Sequence, residues 1–145
     1  MGIANWFVND LTTKERALTR DLLSIAIADN KFREEEQNAI LEICKSEGIS
    51  EVEMMDSIRH SKDGVKILQS HEDKKKYLTH LIKVMSVDEN YSSIEMHVIE
   101  IIAKEIGISR MKLISFVLDE IEVFGQEKGI TIVNHFVKYF TKTGS

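Results

Sequence analysis

The sequence predicts an all-α fold, a single domain over residues 1–145 with seven or eight helices and two internally repeated helix-turn-helix units. Two features of the composition favour this class. The chain has no proline and only seven glycines, which leaves long stretches that can run as helix. Its 43% hydrophobic and 30% charged residues are spread along the whole length, as in a globular domain with one core.

An internal repeat is the third and strongest indication. Residues 22–50 align with residues 81–109 without a gap, at a constant offset of 59 positions, and nine of the 29 aligned residues are identical. Each copy contains an apolar run, a polar turn, an aromatic residue and a second apolar run, and each copy ends with Gly-Ile-Ser. We therefore expect two equivalent pairs of helices.

The turn inside each unit is marked by an aspartate, Asp29 in the first copy and Asp88 in the second. Aspartate accepts hydrogen bonds from nearby amides, and Asn30, which follows in the first copy, tolerates a left-handed backbone. Phe32 and Tyr91 come after the turns, and we expect both rings to pack against the core. These residues predict a tight turn between two helices in each copy.

The second helix of each unit has recognisable ends. In the second copy, Ser92 and Glu95 have the spacing of a capping box. In the first copy, three glutamates at residues 34–36 meet the positive end of the helix dipole instead. Gly48 and Gly107 end these helices, because glycine readily adopts the left-handed conformation that terminates a helix.

Further helices are predicted outside the repeat. Residues 11–21 extend the first helix backwards, residues 51–59 and 64–69 form short helices, and Asp73 starts the helix that leads into the second copy. A C-terminal helix at about residues 130–141 forms an extension of the domain. The apolar residues expected on the buried faces near the C-terminus are Met111, Ile114, Val117, Leu118 and Ile121, and then Ile130, Val133, Val137 and Phe140.

Charge is distributed unevenly along the chain, which has a net charge of −5. Acidic residues dominate positions 29–56 and 84–109, and basic residues dominate positions 59–83, which include a lysine triplet at 74–76. Such an acidic chain is not expected to bind nucleic acid, which selects basic surfaces. The triplet is typical of a solvated helix start, and peripheral contact with an anionic membrane surface is a weaker alternative.

The sequence predicts a cytoplasmic protein. Cys44 is the single cysteine, so no internal disulfide can form and no oxidising compartment is required. No apolar stretch approaches the roughly 18 residues that span a bilayer. The N-terminal residues also lack the basic start and apolar run of a signal peptide.

One motif occurs at matching positions in both copies. It comprises Ala28-Asp29-Asn30, Glu36 and Gly48-Ile49-Ser50, then Val87-Asp88-Glu89, Glu95 and Gly107-Ile108-Ser109. On this motif, residues 18–118 resemble the TerB-like tellurite-resistance family, whose helical fold also occurs in a membrane-anchored DnaJ-like co-chaperone. The family's usual turn is Ala-Asp-Gly, and Glu89 suits such a turn less well than Asn30 does. The resemblance implies a module linked to stress and metalloid resistance, with metal or protein ligands and no established catalysis.

Four acidic residues are the candidate functional positions: Asp29, Glu36, Asp88 and Glu95. They have three interpretations. They bond to amides at turns and helix starts, or they supply oxygen ligands to calcium or magnesium, or they contact a partner protein. Neither turn is an EF-hand, because Ile40 and Ile99 stand where the bidentate glutamate is required.

These observations favour a non-catalytic binding or scaffold module whose acidic surface engages a protein partner or a divalent cation. The five histidines lack zinc-site spacing and are expected to be surface or partly buried residues. No phosphate-binding glycine loop or nucleophile motif occurs. The alternative is a small all-helical metal-dependent hydrolase that uses the repeated carboxylates, and it requires a deep pocket lined by at least three of them.

Overall fold

The computed structural model describes residues 11–46, 70–88 and 91–143. These residues form seven α-helices and one 3-10 helix without any strand among them, which confirms the all-α class. The α-helices are α1 (Thr13–Ala28), α2 (Glu34–Ser46), α3 (His71–Met85), α4 (Ser93–Glu105), α5 (Arg110–Asp119), α6 (Ile121–Phe124) and α7 (Gln126–Thr143). Gly48 and the short helices predicted at 51–59 and 64–69 lie outside the described residues.

The turn between α1 and α2 uses an asparagine where a glycine is usual. Asn30 has a φ of 57°, in the left-handed region. The N–H of Lys31 donates to the carbonyl of Ala26 at 2.9 Å, which is the long bond of a Schellman motif. In the second copy α3 already ends at Met85, and the 3-10 helix Ser86–Asp88 follows. The first helices of the two units therefore end differently.

The predicted ends of α4 are confirmed. Ser92 is the N-cap, and its hydroxyl oxygen accepts a hydrogen bond from the N–H of Glu95 at 3.3 Å. At the other end Gly107 adopts a φ of 80°, and the N–H of Ile108 donates to the carbonyl of Ala103 at 2.8 Å. Local hydrogen bonds thus determine both ends of this helix.

The described helices share one hydrophobic core. α1 packs against α4, α3 packs against α4 and α5, and α7 packs against α4, α5 and α6. The largest fully buried side chains are Phe116, Phe136, Leu22, Leu23, Ile40, Leu78, Leu81, Ile82, Met85, Met96 and Ile99. They come from α1 to α5 and from α7, so the C-terminal helix is part of the core rather than an appendage to it.

The C-terminal helix α7 is longer than predicted. It spans Gln126–Thr143, so Gly129, which precedes the predicted start at about residue 130, lies inside it. A Cβ atom built on Gly129 would lie 2.5 Å from Cγ1 of Ile121. The missing side chain therefore allows α6 and α7 to approach closely, and the glycine serves packing rather than helix termination.

The buried faces near the C-terminus also differ from the prediction. On α7, Ile132 and Phe136 are fully buried, whereas Ile130 and Val137 are each 46% exposed. On α5, Met111 is 75% exposed although it was expected on the apolar face. Apolar residues on these helices fit more than one face, and packing selects among them. Despite the exposed apolar positions, no helix in the described part of the chain could cross a bilayer.

Candidate functional site

Glu36 lies in the first turn of α2, where only 8% of the residue is exposed. Its Oε1 atom accepts hydrogen bonds from the backbone N–H of Arg33 at 3.1 Å and from Nε of Arg33 at 3.3 Å. Its Oε2 atom lies 2.6 Å from Nδ1 of His97 on α4. Burial raises the pKa of the Glu36 carboxyl, but the contacts with His97 and Arg33 outweigh burial and hold this pKa below its usual value.

Glu95 occupies the equivalent position in the first turn of α4 and is 4% exposed. Its Oε1 atom accepts a hydrogen bond from the Ser92 hydroxyl at 2.9 Å. The carboxylate and the N-cap serine are therefore bonded at the helix start, here through the serine hydroxyl rather than the backbone N–H of a standard capping box. Glu36 and Glu95 thus both make contacts that organise the beginning of a helix.

Asp29 is the C-cap residue of α1 and is exposed. Its charge acts on Glu105, the last residue of α4. Burial raises the pKa of Glu105, Asp29 raises it further, and Lys31 lowers it in part. Both carboxylates also stand at the negative ends of helix dipoles. Asp29 and Glu105 therefore carry charges of the same sign that repel each other, and we call them the Asp29–Glu105 pair.

The four acids predicted as a site are placed in different parts of the helix pairs. Glu36 and Glu95 lie at helix starts, and Asp29 lies at a helix end. Asp88 ends the 3-10 helix, and its side chain is outside what the structure describes. Within residues 11–46, 70–88 and 91–143, no three His, Cys, Asp or Glu side chains form a group that could hold a metal ion. A cation site shared by the four acids stays a prediction.

A second carboxylate–histidine pair joins α1 to α3. Both carboxylate oxygens of Glu15 lie 2.9 Å from Nδ1 of His80. The same carboxylate accepts a hydrogen bond from the N–H of Thr12 at 3.0 Å, within a capping box at the start of α1. Burial raises the pKa of Glu15, but Thr12 and His80 outweigh burial and lower it. The two Glu–His pairs therefore connect α1 with α3 and α2 with α4.

A partly buried ion pair links α4 to α5 and α7. Glu100 is 4% exposed and accepts a hydrogen bond from Nε of Arg110. The Arg110 guanidinium also donates to the carbonyl of Phe140 at 3.4 Å and lies 4.8 Å from the centroid of the Phe140 ring. Burial, together with the charges of Glu100 and Glu36, raises the pKa of Tyr139 to about 12. Charged groups on α2, α4 and α5 thus act on Tyr139, which lies on α7.

Sequence reasoning missed these contacts. One signal existed for Glu100, which interrupts the apolar run Ile99-Glu100-Ile101, because a charge inside a buried face requires a partner. No comparable signal identifies the histidines as partners. His97 lies 61 positions from Glu36, and His80 lies 65 positions from Glu15, so only the packing of the helices brings them together.

Comparison with known proteins adds no relative to this description. No family model matches the chain. No curated protein and no solved structure matches it either. The TerB-like resemblance of residues 18–118 therefore stays a prediction from the sequence, and function has to be argued from the residues.

Proposed function

We propose that this chain is a non-catalytic binding module of the TerB-like kind whose acidic surface engages basic side chains of a protein partner. A divalent cation is the second candidate ligand for the same surface. The observation that carries the proposal is the group of exposed acids around the first turn, Asp29, Glu34 and Glu35. The charge of Asp29 also raises the pKa of Glu105, which adds the Asp29–Glu105 pair to this surface.

A positive charge placed at this pair would relieve its electrostatic cost. Like charges repel, and the negative end of each helix dipole adds to that repulsion. Lys31 offsets only part of the effect, since the pKa of Glu105 remains raised. An ammonium or guanidinium group of a partner, or a calcium or magnesium ion with its preference for oxygen, would compensate both carboxylates.

Other exposed acids continue the surface. Glu34 and Glu35 are exposed at the start of α2, directly after the turn that contains Asp29. Glu36 is excluded from this surface because it is buried and bonded to Arg33 and His97. The acids available to a partner are therefore those around the turn, not the buried glutamates.

The helix bounds support a duplicated scaffold. α2 spans Glu34–Ser46 and α4 spans Ser93–Glu105, and these bounds differ at both ends by the 59 positions of the sequence repeat. Glu36 and Glu95 are buried at matching places in the two helices. The metal-dependent hydrolase remains the alternative from the sequence, and no observation within the described residues favours it.

Titration of the isotope-labelled protein tests the proposal. A short peptide rich in lysine and arginine is added while backbone amide shifts are recorded, and calcium chloride and magnesium chloride are added in separate experiments. We expect the largest shifts at residues 29–31 and at Glu105. The variant Asp29→Asn/Glu105→Gln should lose the response, because it removes both charges and keeps the shape of the side chains.

A matched variant distinguishes peptide binding at a local site from attraction to the overall negative charge. Glu122→Gln/Glu127→Gln removes the same charge from exposed positions on α6 and α7 and should bind the peptide as the wild type does. Equal losses in the two variants would contradict the proposal. A response to calcium or magnesium alone would favour the cation over the partner protein, and no response to any of the three additions would reject both.

A further inference from the structure

One face of α3 presents three basic side chains beside a cavity. Lys76, His80 and Lys83 are four and three positions apart, so they lie along one side of the helix. Together with Thr79 they line a cavity of about 390 Å³ between α3 and the corner where α5 meets α6. Lys76 and Lys83 are two turns apart, roughly 10.5 Å along the axis. Their long, flexible side chains can converge over that span.

Acidic residues also line this cavity, namely Glu72, Asp73 and Glu120, and Lys75 forms ion pairs with Glu120 and with the neighbouring Asp119. Nζ of Lys75 lies 3.4 Å from Oδ2 of Asp119 and 3.5 Å from Oε1 of Glu120. Desolvation lowers the pKa of Lys75, but Asp119, Glu120 and Glu72 raise it above its usual value. Asp73 lies in the first turn of α3, where the helix dipole favours a negative charge.

Lys76 and Lys83 are the cations that remain for a ligand. Neither makes an ion pair with another residue in the described part of the chain. His80 is the third basic group, and its Nδ1 atom is held 2.9 Å from the Glu15 carboxylate. This contact orients the imidazole and leaves Nε2 for another partner.

Thr79 contributes an unsatisfied hydroxyl at the same place. The residue is 8% exposed, and its Oγ1 atom has no hydrogen-bond partner among the described residues. A buried hydroxyl without a partner destabilises a protein, and native structures contain few of them. Thr79 also lines the cavity, and because its Oγ1 atom is itself fully buried, the side chain has to rotate about χ1 to donate to an acceptor bound there.

We propose that this cavity binds the phosphate group of a phosphomonoester, which Lys76, His80, Lys83 and the Thr79 hydroxyl contact. Phosphate offers more acceptor oxygens than a carboxylate and carries up to two negative charges, which suits two ammonium groups, an imidazole and a hydroxyl. Val123 is 53% exposed and also lines the cavity, where it offers an apolar contact to the organic part of the ligand. Since the net charge is −5, these local contacts rather than the overall field attract the anion.

A titration of the full chain with inorganic phosphate and with glycerol phosphate tests the proposal. Backbone amide and threonine methyl shifts are compared with those caused by sodium chloride at the same ionic strength. We expect shifts specific to phosphate at residues 76–83, including the methyl group of Thr79. Shifts that sodium chloride reproduces would overturn the proposal.

Variants distinguish phosphate binding at this site from effects of overall charge and of altered stability. Lys76→Gln/Lys83→Gln should weaken phosphate binding roughly tenfold or more, because it removes charge-assisted hydrogen bonds. The control Lys138→Gln/Lys142→Gln removes the same charge from exposed positions on α7 and should bind as the wild type does. Thr79→Val keeps the shape of the side chain and should weaken phosphate binding without lowering the Tm. A purely structural Thr79 would leave phosphate affinity unchanged, and that result would remove the hydroxyl from the site.

Vesicles distinguish a lipid phosphate from a soluble one. The protein is mixed with phosphatidylcholine vesicles that contain or lack phosphatidic acid. Binding to glycerol phosphate in solution supports a soluble phosphomonoester, whereas binding to phosphatidic acid vesicles alone, lost in the Lys76→Gln/Lys83→Gln variant, supports a lipid headgroup. No response to phosphate in either form, or equal losses in both lysine double variants, overturns the proposal.

Discussion

The Nδ1 atom of His97 lies 2.6 Å from Oε2 of Glu36, and this contact joins the start of α2 to α4. The same carboxylate accepts a hydrogen bond from the N–H of Arg33, so helix capping and interhelical contact depend on one side chain. Glu15 combines the two roles in the same way at the start of α1, through Thr12 and His80. The two glutamates therefore stabilise both the local helices and the arrangement of the helix pairs.

Glu36→Gln should lower the free energy of unfolding by about 1–3 kcal/mol, since it weakens charge-assisted hydrogen bonds at a buried position. Urea denaturation at neutral pH measures the change. The exposed neighbour Glu35 lies in the same helical turn, and Glu35→Gln should alter stability by less than about 0.5 kcal/mol. Similar losses in both variants would mean that charge near the helix start matters and that the His97 contact does not.

Stability should decrease in acid as Glu15 and Glu36 become protonated. The pKa of each carboxyl is below 4.5 in the folded protein, so the unfolded chain binds more protons. Their contribution is fully present above pH 4.5 and is lost as the pH falls through the folded pKa values. Thermal unfolding from neutral to acid pH should show a shallower acid loss in Glu15→Gln/Glu36→Gln than in the wild type. An unchanged acid slope would argue against this assignment.

Glu105 should show the opposite dependence on pH. Burial and the charge of Asp29 raise its pKa above 4.5 in the folded protein, so the folded state binds more protons than the unfolded chain. Stability is therefore lost as the pH rises from 4.5 through the folded pKa. Glu105→Gln should raise the Tm at neutral pH, while Glu122→Gln at an exposed site should leave it unchanged. A lower Tm for Glu105→Gln would indicate that this carboxylate makes a favourable contact.

Gly129→Ala should destabilise the protein although alanine favours helix more than glycine does. The added Cβ would lie 2.5 Å from Cγ1 of Ile121, so α6 or α7 has to move. Overpacking of this kind costs about 1–3 kcal/mol. Ile121→Ala removes the opposing atom, and Gly129→Ala/Ile121→Ala should lose less stability than the sum of the single variants. Additive losses by urea denaturation would show that the two positions do not clash.

The agreement between sequence and structure is best where a few neighbouring residues determine the backbone. Ser92 caps α4, Gly107 terminates it, and Asn30 takes the left-handed position after α1. Each feature depends on hydrogen bonds between residues within about one helical turn, so its chemistry is visible in the local sequence. The candidate acids were predicted with the same logic, and Glu36 and Glu95 do bond at helix starts.

The agreement is poorest where residues distant in sequence meet. Gly129 resembles a helix-breaking residue in the sequence, yet it lies within α7. Its missing side chain leaves space for Ile121. The outward positions of Ile130 and Val137 follow from how α7 packs against its neighbours. Periodicity shows that a helix has an apolar face, but several apolar residues compete for that face.

The order of residues in the chain was sufficient to establish the helical class, the turn after α1 and both ends of α4, because backbone chemistry at these places is local. Three-dimensional packing established that His97 meets Glu36, that His80 meets Glu15 and that Thr79 lines a cavity among basic residues. These contacts join side chains from separate helices, and their positions depend on how the whole core is filled. The residues near each position in the sequence therefore do not predict these contacts.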